Sequence, residues 1–316
     1  MTRDPRTDDP STDGSTKADA GSSDRPAGTP AGTPAEAAEQ AEAAEIPALE
    51  VTGLVYAFKE NRAVDGIDLL VPPGAVYGLL GPNGAGKTTA IRAVTTLLPI
   101  PAGMVRVFGR DPARDQMGVR RSLGYVPQQL SADAGLTGRE NVANFARLFD
   151  VPRSVRGAKV ERALDAVGLL DVADRMASAY SGGMVRRLEL AQALVSSPRL
   201  LILDEPTIGL DPIARDSVWR HIEEVRARTG MTVLVTTHYM DEAEEYCDRI
   251  SLMHKGRIRA TGTPQELVAS LPDGDAGASL EDAFRYYTGG AGLEESGQGG
   301  SFRDVRSTRT TASRVR

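Results

Sequence analysis

The stretch Val76-Tyr77-Gly78-Leu79-Leu80-Gly81-Pro82-Asn83-Gly84-Ala85-Gly86-Lys87-Thr88-Thr89 decides the fold. Its opening residues form a short apolar run of strand length. Gly81 to Thr88 then fit the spacing G-x-x-x-x-G-K-[ST], and a helical segment follows over 87–98. Strand, glycine-rich turn and helix in that order build a concave anion site. The glycines let backbone N–H groups close round a phosphate, and the positive N-terminal end of the helix points at the same charge. Lys87 adds a point charge suited to β- and γ-phosphates, and the Thr88 hydroxyl is a hard oxygen suited to Mg²⁺. A chance Lys-Thr after a glycine-rich turn would lack the flanking strand and helix.

Further along, Leu200-Leu201-Ile202-Leu203-Asp204-Glu205-Pro206-Thr207 is an apolar strand that ends in two carboxylates. Asp204 is placed to hold Mg²⁺, directly or through water, as the acidic residue of nucleotide-hydrolysing P-loop proteins does. Glu205, one residue past the strand end, is placed as general base for a water attacking the γ-phosphate. An Asp-Glu pair after a strand is by itself an ordinary solvated turn; the phosphate loop makes the hydrolytic reading the stronger one.

Outward from these motifs the chain alternates. Short β-like runs stand at 49–54, 66–71, 105–108, 123–127, 232–236 and 249–254, and helical segments at 213–228 and 240–246. Strand-then-helix alternation predicts a mostly parallel α/β sheet. The stretch 135–180 carries no strand signal. In it Thr137-Gly138-Arg139-Glu140 reads as a capping box that opens a helix. Val160, Ala163, Leu164 and Val167 keep helical spacing within 159–169. A helical insert between two halves of an α/β core is therefore expected. Residues 1–46 and 289–316 have almost no large apolar side chains and cannot offset their ordering entropy, which predicts two disordered tails. Residues 271–288 are expected to form a short C-terminal element.

Further tags stand in order around the two motifs. Pro127-Gln128 opens the insert, and Tyr180-Ser181-Gly182-Gly183-Met184 precedes the Asp204 strand. Gly209-Leu210-Asp211-Pro212 follows it, and Thr236-Thr237-His238 ends the last core strand run. Together they resemble the Q-loop, signature segment, D-loop and switch histidine of ABC-type ATPases, in the family's order. The resemblance implies an α/β fold, a P-loop NTPase of the ABC nucleotide-binding type over 47–270. Its helical subdomain, at about 132–180, is inserted between Q-loop and signature segment. Tyr180, Met184 and Ile208 depart from the commonest family residues without removing a group the chemistry needs.

What the resemblance implies residue by residue is an ATPase that works with ATP and Mg²⁺. Gly81, Pro82, Asn83, Gly84, Ala85, Gly86, Lys87, Thr88 and Thr89 would bind ATP, with Phe58 stacked on adenine and Tyr56 as the alternative. Thr88, Gln128 and Asp204 would hold the metal. Glu205, His238 and Gln128 would carry hydrolysis, His238 by sensing the γ-phosphate. Ser181, Gly182 and Gly183 would touch the nucleotide of a second cassette across a head-to-tail dimer, a homodimer being the favoured form, and Asp211 would bridge the two. Arg62 to Gly66, Val76 to Leu80, Thr237 to Ala243 and Ser279 to Phe284 more narrowly resemble the daunorubicin-resistance type of export ATPase. That group works at the cytoplasmic face of the cell membrane with a separately encoded integral membrane permease. The alternatives are an exporter of lipid or polysaccharide and a non-transport ABC ATPase.

Composition narrows the rest. The chain has 316 residues, 41% hydrophobic and 25% charged, as a soluble globular protein does. No apolar run nears the ~18–20 residues of a membrane-spanning helix, so the chain is not expected to cross a bilayer alone. The single Cys247 excludes an intramolecular disulfide and a zinc-finger framework. The start MTRDPRTDDP has no apolar signal segment, which predicts a cytosolic location. The net charge of −6 is uneven: residues 1–45 carry −6 and residues 291–316 carry +2. A near-neutral body gives no broad footprint for nucleic acid, which is not expected as a partner.

Overall fold

The computed structural model describes residues 46–272 and 278–290. The tails expected at 1–46 and 289–316 fall outside them, apart from Ile46, Gly289 and Gly290.

The central sheet has the order β5 (Leu123–Val126), β6 (Leu200–Asp204), β7 (Thr232–Thr237), β3 (Val76–Leu80), β8 (Arg249–His254) and β9 (Arg257–Gly262). Neighbours from β5 to β8 run parallel, and β9 returns antiparallel to β8. Every residue of β3, β6 and β7 is buried, as a parallel sheet covered on both faces requires. Alternate side chains serve two cores. Tyr77, Leu79, Leu200, Ile202 and Leu234 pack into one. That core is shared with the antiparallel sheet β2 (Asn61–Val71), β1 (Leu49–Phe58), β4 (Val105–Val107) and with helices α1 (Lys87–Val94) and α2 (Gln116–Ser122).

Val76, Leu80, Leu201, Leu203, Val233 and Val235 face the other core. There they meet the helices α3 (Gly138–Leu148), α4 (Arg153–Ala166), α5 (Gly182–Leu194), α6 (Pro212–Thr229) and α7 (Met240–Tyr246). The short α8 (Pro264–Ala269) and the C-terminal α9 (Leu280–Tyr287) add Leu267 and Phe284 to the same core. Trp219 on α6 is fully buried and stacks on Tyr246 with ring centroids 4.4 Å apart. The capping box of α3 forms as its sequence dictates: the Glu140 N–H donates to the Thr137 hydroxyl at 3.1 Å, and the Thr137 N–H donates to the Glu140 carboxylate at 2.9 Å.

Strand register places the functional loops. Leu80 pairs with Thr237, Asp204 with Thr236, and Val126 with Leu203. The ends of β3, β7, β6 and β5 are thus level, and the loops that follow them open on one edge. That is the carboxyl-end edge at which open α/β sheets bind ligands.

Several boundaries differ from the sequence expectation, for local reasons. Helix α1 stops at Val94 rather than at 98. The Thr95 hydroxyl donates to the Ile91 carbonyl at 2.9 Å, and Thr96 turns left-handed at φ 64°. Such side-chain bonds compete with continuation of a helix. Strands β1 and β2 are longer than their apolar runs because they pair as a hairpin, with Phe58 opposite Asn61 across a turn at Lys59-Glu60. Helix α4 spans Arg153–Ala166; its first turns are polar, so the apolar spacing within 159–169 marks only its later part. Strand β9 has no apolar run; it is a part-exposed edge strand bearing Arg257 and Arg259, the composition that discourages edge pairing.

Candidate active site

The loop after β3 bends where its glycines permit. Gly84 and Gly86 have φ of 81° and 106°, and Gly86 is the N-cap of α1. A side chain on Gly86 would meet the Ala63 carbonyl oxygen at 2.2 Å. Gly86→Ala is therefore expected to push the loop off β2, lowering the melting temperature and abolishing nucleotide binding. A thermal melt and a nucleotide titration check this; parent-like nucleotide affinity would contradict it.

The loop forms one wall of a cleft of about 620 Å³, with Gln128 and Glu205 opposite. Lys87 is buried on the floor. Its ammonium donates to the Gly81 and Pro82 carbonyls at 2.5 and 3.2 Å and lies 3.1 Å from a Glu205 carboxylate oxygen. The second Glu205 oxygen accepts from the Gln128 amide at 3.2 Å and lies 3.4 Å from Nδ1 of His238. Three residues, Lys87, Gln128 and His238, each following a different strand, thus meet at the Glu205 carboxylate. Glu205 itself has φ 49°, uncommon for a residue with a side chain. Its N–H is held by the Thr236 hydroxyl at 3.0 Å and the Thr236 carbonyl at 3.1 Å. Strained backbone of this kind persists where surrounding bonds over-determine it, and it clusters at functional sites.

The two members of the central pair respond differently to burial. Burial pushes the Lys87 ammonium below its usual pKa, and Glu205 pulls it back only in part. Burial acts to raise the Glu205 pKa, but the neighbouring His238 and Lys87 outweigh it and hold the carboxyl below its ordinary value. Desolvation wins for one partner and pairing for the other. A buried pair of this kind is by itself weak evidence of added stability.

Asp204 is fully buried at the end of β6. Its Oδ1 accepts from Thr236 at 2.6 Å and from Thr88 at 3.3 Å, while its Oδ2 is buried without a hydrogen-bond partner. Burial raises its pKa against those two hydrogen bonds. An orphaned carboxylate oxygen beside a threonine hydroxyl fits a hard divalent cation. Among the described residues no group of three or more His, Cys, Asp and Glu could hold such an ion. That donor set suits Mg²⁺, which shares its shell between one or two carboxylates and substrate phosphates.

The remaining sequence-derived residues lie elsewhere. Ser181 caps α5, its hydroxyl accepting from Met184 N–H at 3.3 Å, with Gly182 and Gly183 in the first helical turn. Asp211 caps α6 by accepting from Ala214 N–H at 3.0 Å. These two helix starts are neighbours: a Cβ on Gly183 would lie 3.0 Å from that of Ala214. Ser181, Gly182 and Asp211 are exposed, and none of them lines the cleft of their own chain. Phe58 and Tyr56 do not line it either; Phe58, 46% exposed, sits opposite Asn61, which does. The two rings meet edge to face at 5.1 Å.

Sequence reasoning did not single out Asn61 or Lys255 as lining residues, nor Arg62 as more than part of a resemblance. Lys255 belongs to the β8–β9 turn, whose second strand leaves no apolar signal. Sequence reasoning also gives no role to Glu242, which stands only within the Thr237 to Ala243 resemblance: a buried carboxylate on α7 that accepts from Thr207 and, at 3.1 Å, from Thr237. Glu242 thereby ties the segment after Glu205 to the strand that ends at His238.

The family model described as "ABC transporter" matches residues 64–208. The daunorubicin/doxorubicin resistance ATP-binding protein DrrA of Streptomyces peucetius is 46% identical over 236 residues, covering 75% of this chain and 71% of that one. The Nod factor export ATP-binding protein I of Paraburkholderia xenovorans (strain LB400) is 43% identical over 223 residues, covering 71% of this chain and 73% of its own. A solved structure of an ATP-binding subunit of an ABC transporter superposes with a TM-score of 0.67 at 28% identity, over 76% of this chain and 99% of that one. The chain belongs to the ABC transporter family, among the ATPase subunits that include the daunorubicin-resistance type.

Proposed function

We propose that this subunit powers export of a drug or antibiotic by closing head to tail with a second cassette round two Mg-ATP and driving a separately encoded permease. The observation that carries the proposal is a division of parts. Lys87, Glu205, Gln128 and His238 converge on one cleft, whereas Ser181 and Gly182 are exposed and Gly183 half-buried at the start of another helix. A serine hydroxyl and glycine N–H groups at a helix N-terminus suit phosphate oxygens, and a second copy would supply them to the cleft.

Within the cleft each side chain has one task. Arrival of the triphosphate gives Lys87 oxygens to replace Gly81, Pro82 and Glu205, so its charge moves to the β- and γ-phosphates. Glu205, released from the ammonium, accepts a proton from water as the water oxygen attacks the γ-phosphorus. The bond to the β-phosphate oxygen breaks and its electron pair leaves with ADP. Gln128 and His238 keep Glu205 and the γ-phosphate aligned, and Thr88, Asp204 and Gln128 would hold the metal. Mg²⁺, when bound, supplies positive charge to the phosphate oxygens. Phosphoryl transfer depends mostly on such positioning and charge neutralisation. Phe58 is the candidate to stack on adenine, with Tyr56, half-buried and packed against the core beside it, as the alternative.

Among the described residues no helix is long and apolar enough to cross a membrane. A groove of about 340 Å³ beside the Gln128 loop, lined by Leu97, Tyr125, Pro127, Phe145 and Phe149, supports docking of the permease on the cytoplasmic side. The function is tested in the source cell by removing the chain and measuring retained daunorubicin. Drug accumulation should rise and return to normal with the parent chain but not with Glu205→Gln. Unchanged drug levels alongside altered surface lipid or polysaccharide would favour the alternative cargo instead.

A further inference from the structure

We propose that Arg186 and Glu189 are positioning residues that couple the exposed signature segment to Gln128. Both lie on α5 and are 3% and 2% exposed. The Arg186 guanidinium donates to the Glu189 carboxylate at 2.8 Å, to the Pro127 carbonyl at 2.9 Å and to the Gln128 carbonyl at 2.8 Å. Glu189 in turn accepts from the Ser131 N–H and, at 3.1 Å, from the Ser131 hydroxyl. The pair therefore grips both ends of segment 127–131. One helical turn on, Gln192 donates to Asn141 at 3.1 Å, and Asn141 holds the backbone of Asp133 in both directions at 2.9 Å.

A buried ion pair within one helix is not needed for stability, since apolar side chains of similar volume often serve as well or better. What apolar side chains cannot supply is a donor to two loop carbonyls and an acceptor for a loop N–H. Those contacts give the helix a rigid hold on Gln128, whose amide meets Glu205. The same helix carries Ser181 at its N-cap. A phosphate contact made by Ser181 displaces α5, and α5 displaces Gln128 relative to Glu205. Hydrolysis in one cleft is thereby licensed by the signature contact made in the other. The inference rests on the reading of Ser181 as the contact to the second cassette's nucleotide.

The test uses the full chain with Arg186→Met and Glu189→Leu combined. Its melting temperature and nucleotide affinity should stay near the parent's, while kcat falls about tenfold or more at unchanged KM. Adding Gln128→Ala should cost little further, because the three residues act through one element. Hydrogen exchange over residues 127–133 should respond to a non-cleavable ATP analogue with Mg²⁺ in the parent and not in the double variant. The reversed pair, Arg186→Glu with Glu189→Arg, restores an ion pair but has no donor for the carbonyls, and it should remain impaired. Should the apolar pair fail to fold, Glu189→Gln gives the same reading through its kcat-to-KM split. Parent-level kcat in a folded variant, rescue by the reversed pair, or a loss that simply adds to that of Gln128→Ala would overturn the proposal. Ser181→Ala separates the two claims: unchanged turnover in that variant refutes the contact across cassettes, while the exchange measurement still decides whether α5 holds the loop.

Discussion

Glu205→Gln is expected to lower kcat by about 10²–10⁴-fold, the range that loss of a general base produces, while ATP still binds. The substitution keeps the shape of the side chain and removes only its capacity to take a proton. The contacts round it are of two kinds. Lys87 at 3.1 Å needs an oxygen, which the glutamine still offers, whereas the position facing Gln128 and His238 holds the second carboxylate oxygen. The glutamine NH2 would face the Gln128 amide that now donates to that oxygen, so Gln128 must turn to present its own oxygen; with that turn the site keeps its shape and loses its base. Steady-state phosphate release and equilibrium nucleotide binding, measured on the same preparation, check this. ATPase within a few-fold of the parent would remove Glu205 from the role of base.

Lys87→Ala is expected to abolish measurable nucleotide binding and to weaken the apo fold as well. The ammonium lies buried 3.1 Å from Glu205, and removing it leaves the buried carboxylate without that partner. Breaking a buried pair in this way costs about 3–5 kcal/mol, less here because Gln128 and His238 still face the carboxylate. The pH dependence follows from Glu205, whose folded pKa lies below its usual 4.5. A depressed carboxyl pKa contributes stability that is present above the unfolded value and is lost as pH falls through the folded one. The parent should thus lose stability more steeply than Lys87→Ala as pH drops below about 4.5. Thermal melts across that range and a nucleotide titration at neutral pH check both parts. Unchanged ATP affinity in Lys87→Ala would take Lys87 out of the phosphate site.

The residues that carry chemistry are legible in the sequence where a buried parallel strand delivers them. Strands β3 and β6 keep the bounds their apolar runs announce, so Gly81 and Glu205 fall where the end of each run puts them. Capping chemistry is equally local, and Thr137 with Glu140 acts as its spacing dictates. Long-range contacts leave no such trace. Arg186 meets Pro127 across 59 positions and Glu189 meets Ser131 across 58, and nothing in either segment marks the pairing. Lys255 escapes for a different reason: β9 is an edge strand held by pairing to β8, with exposed arginines where a core strand has apolar residues. The end of α1 escapes because Thr95 and Thr96 are acceptable in a helix by composition and end it only through the bonds they make.

The measurement closest to the central claim is the solution mass of the purified chain, by light scattering, with Mg²⁺ and a non-cleavable ATP analogue. The account predicts a particle of two chains with two nucleotides bound, reverting to single chains when Ser181 is replaced by a bulky acidic residue. A particle that stays monomeric under saturating nucleotide, even with its membrane partner present, would contradict it.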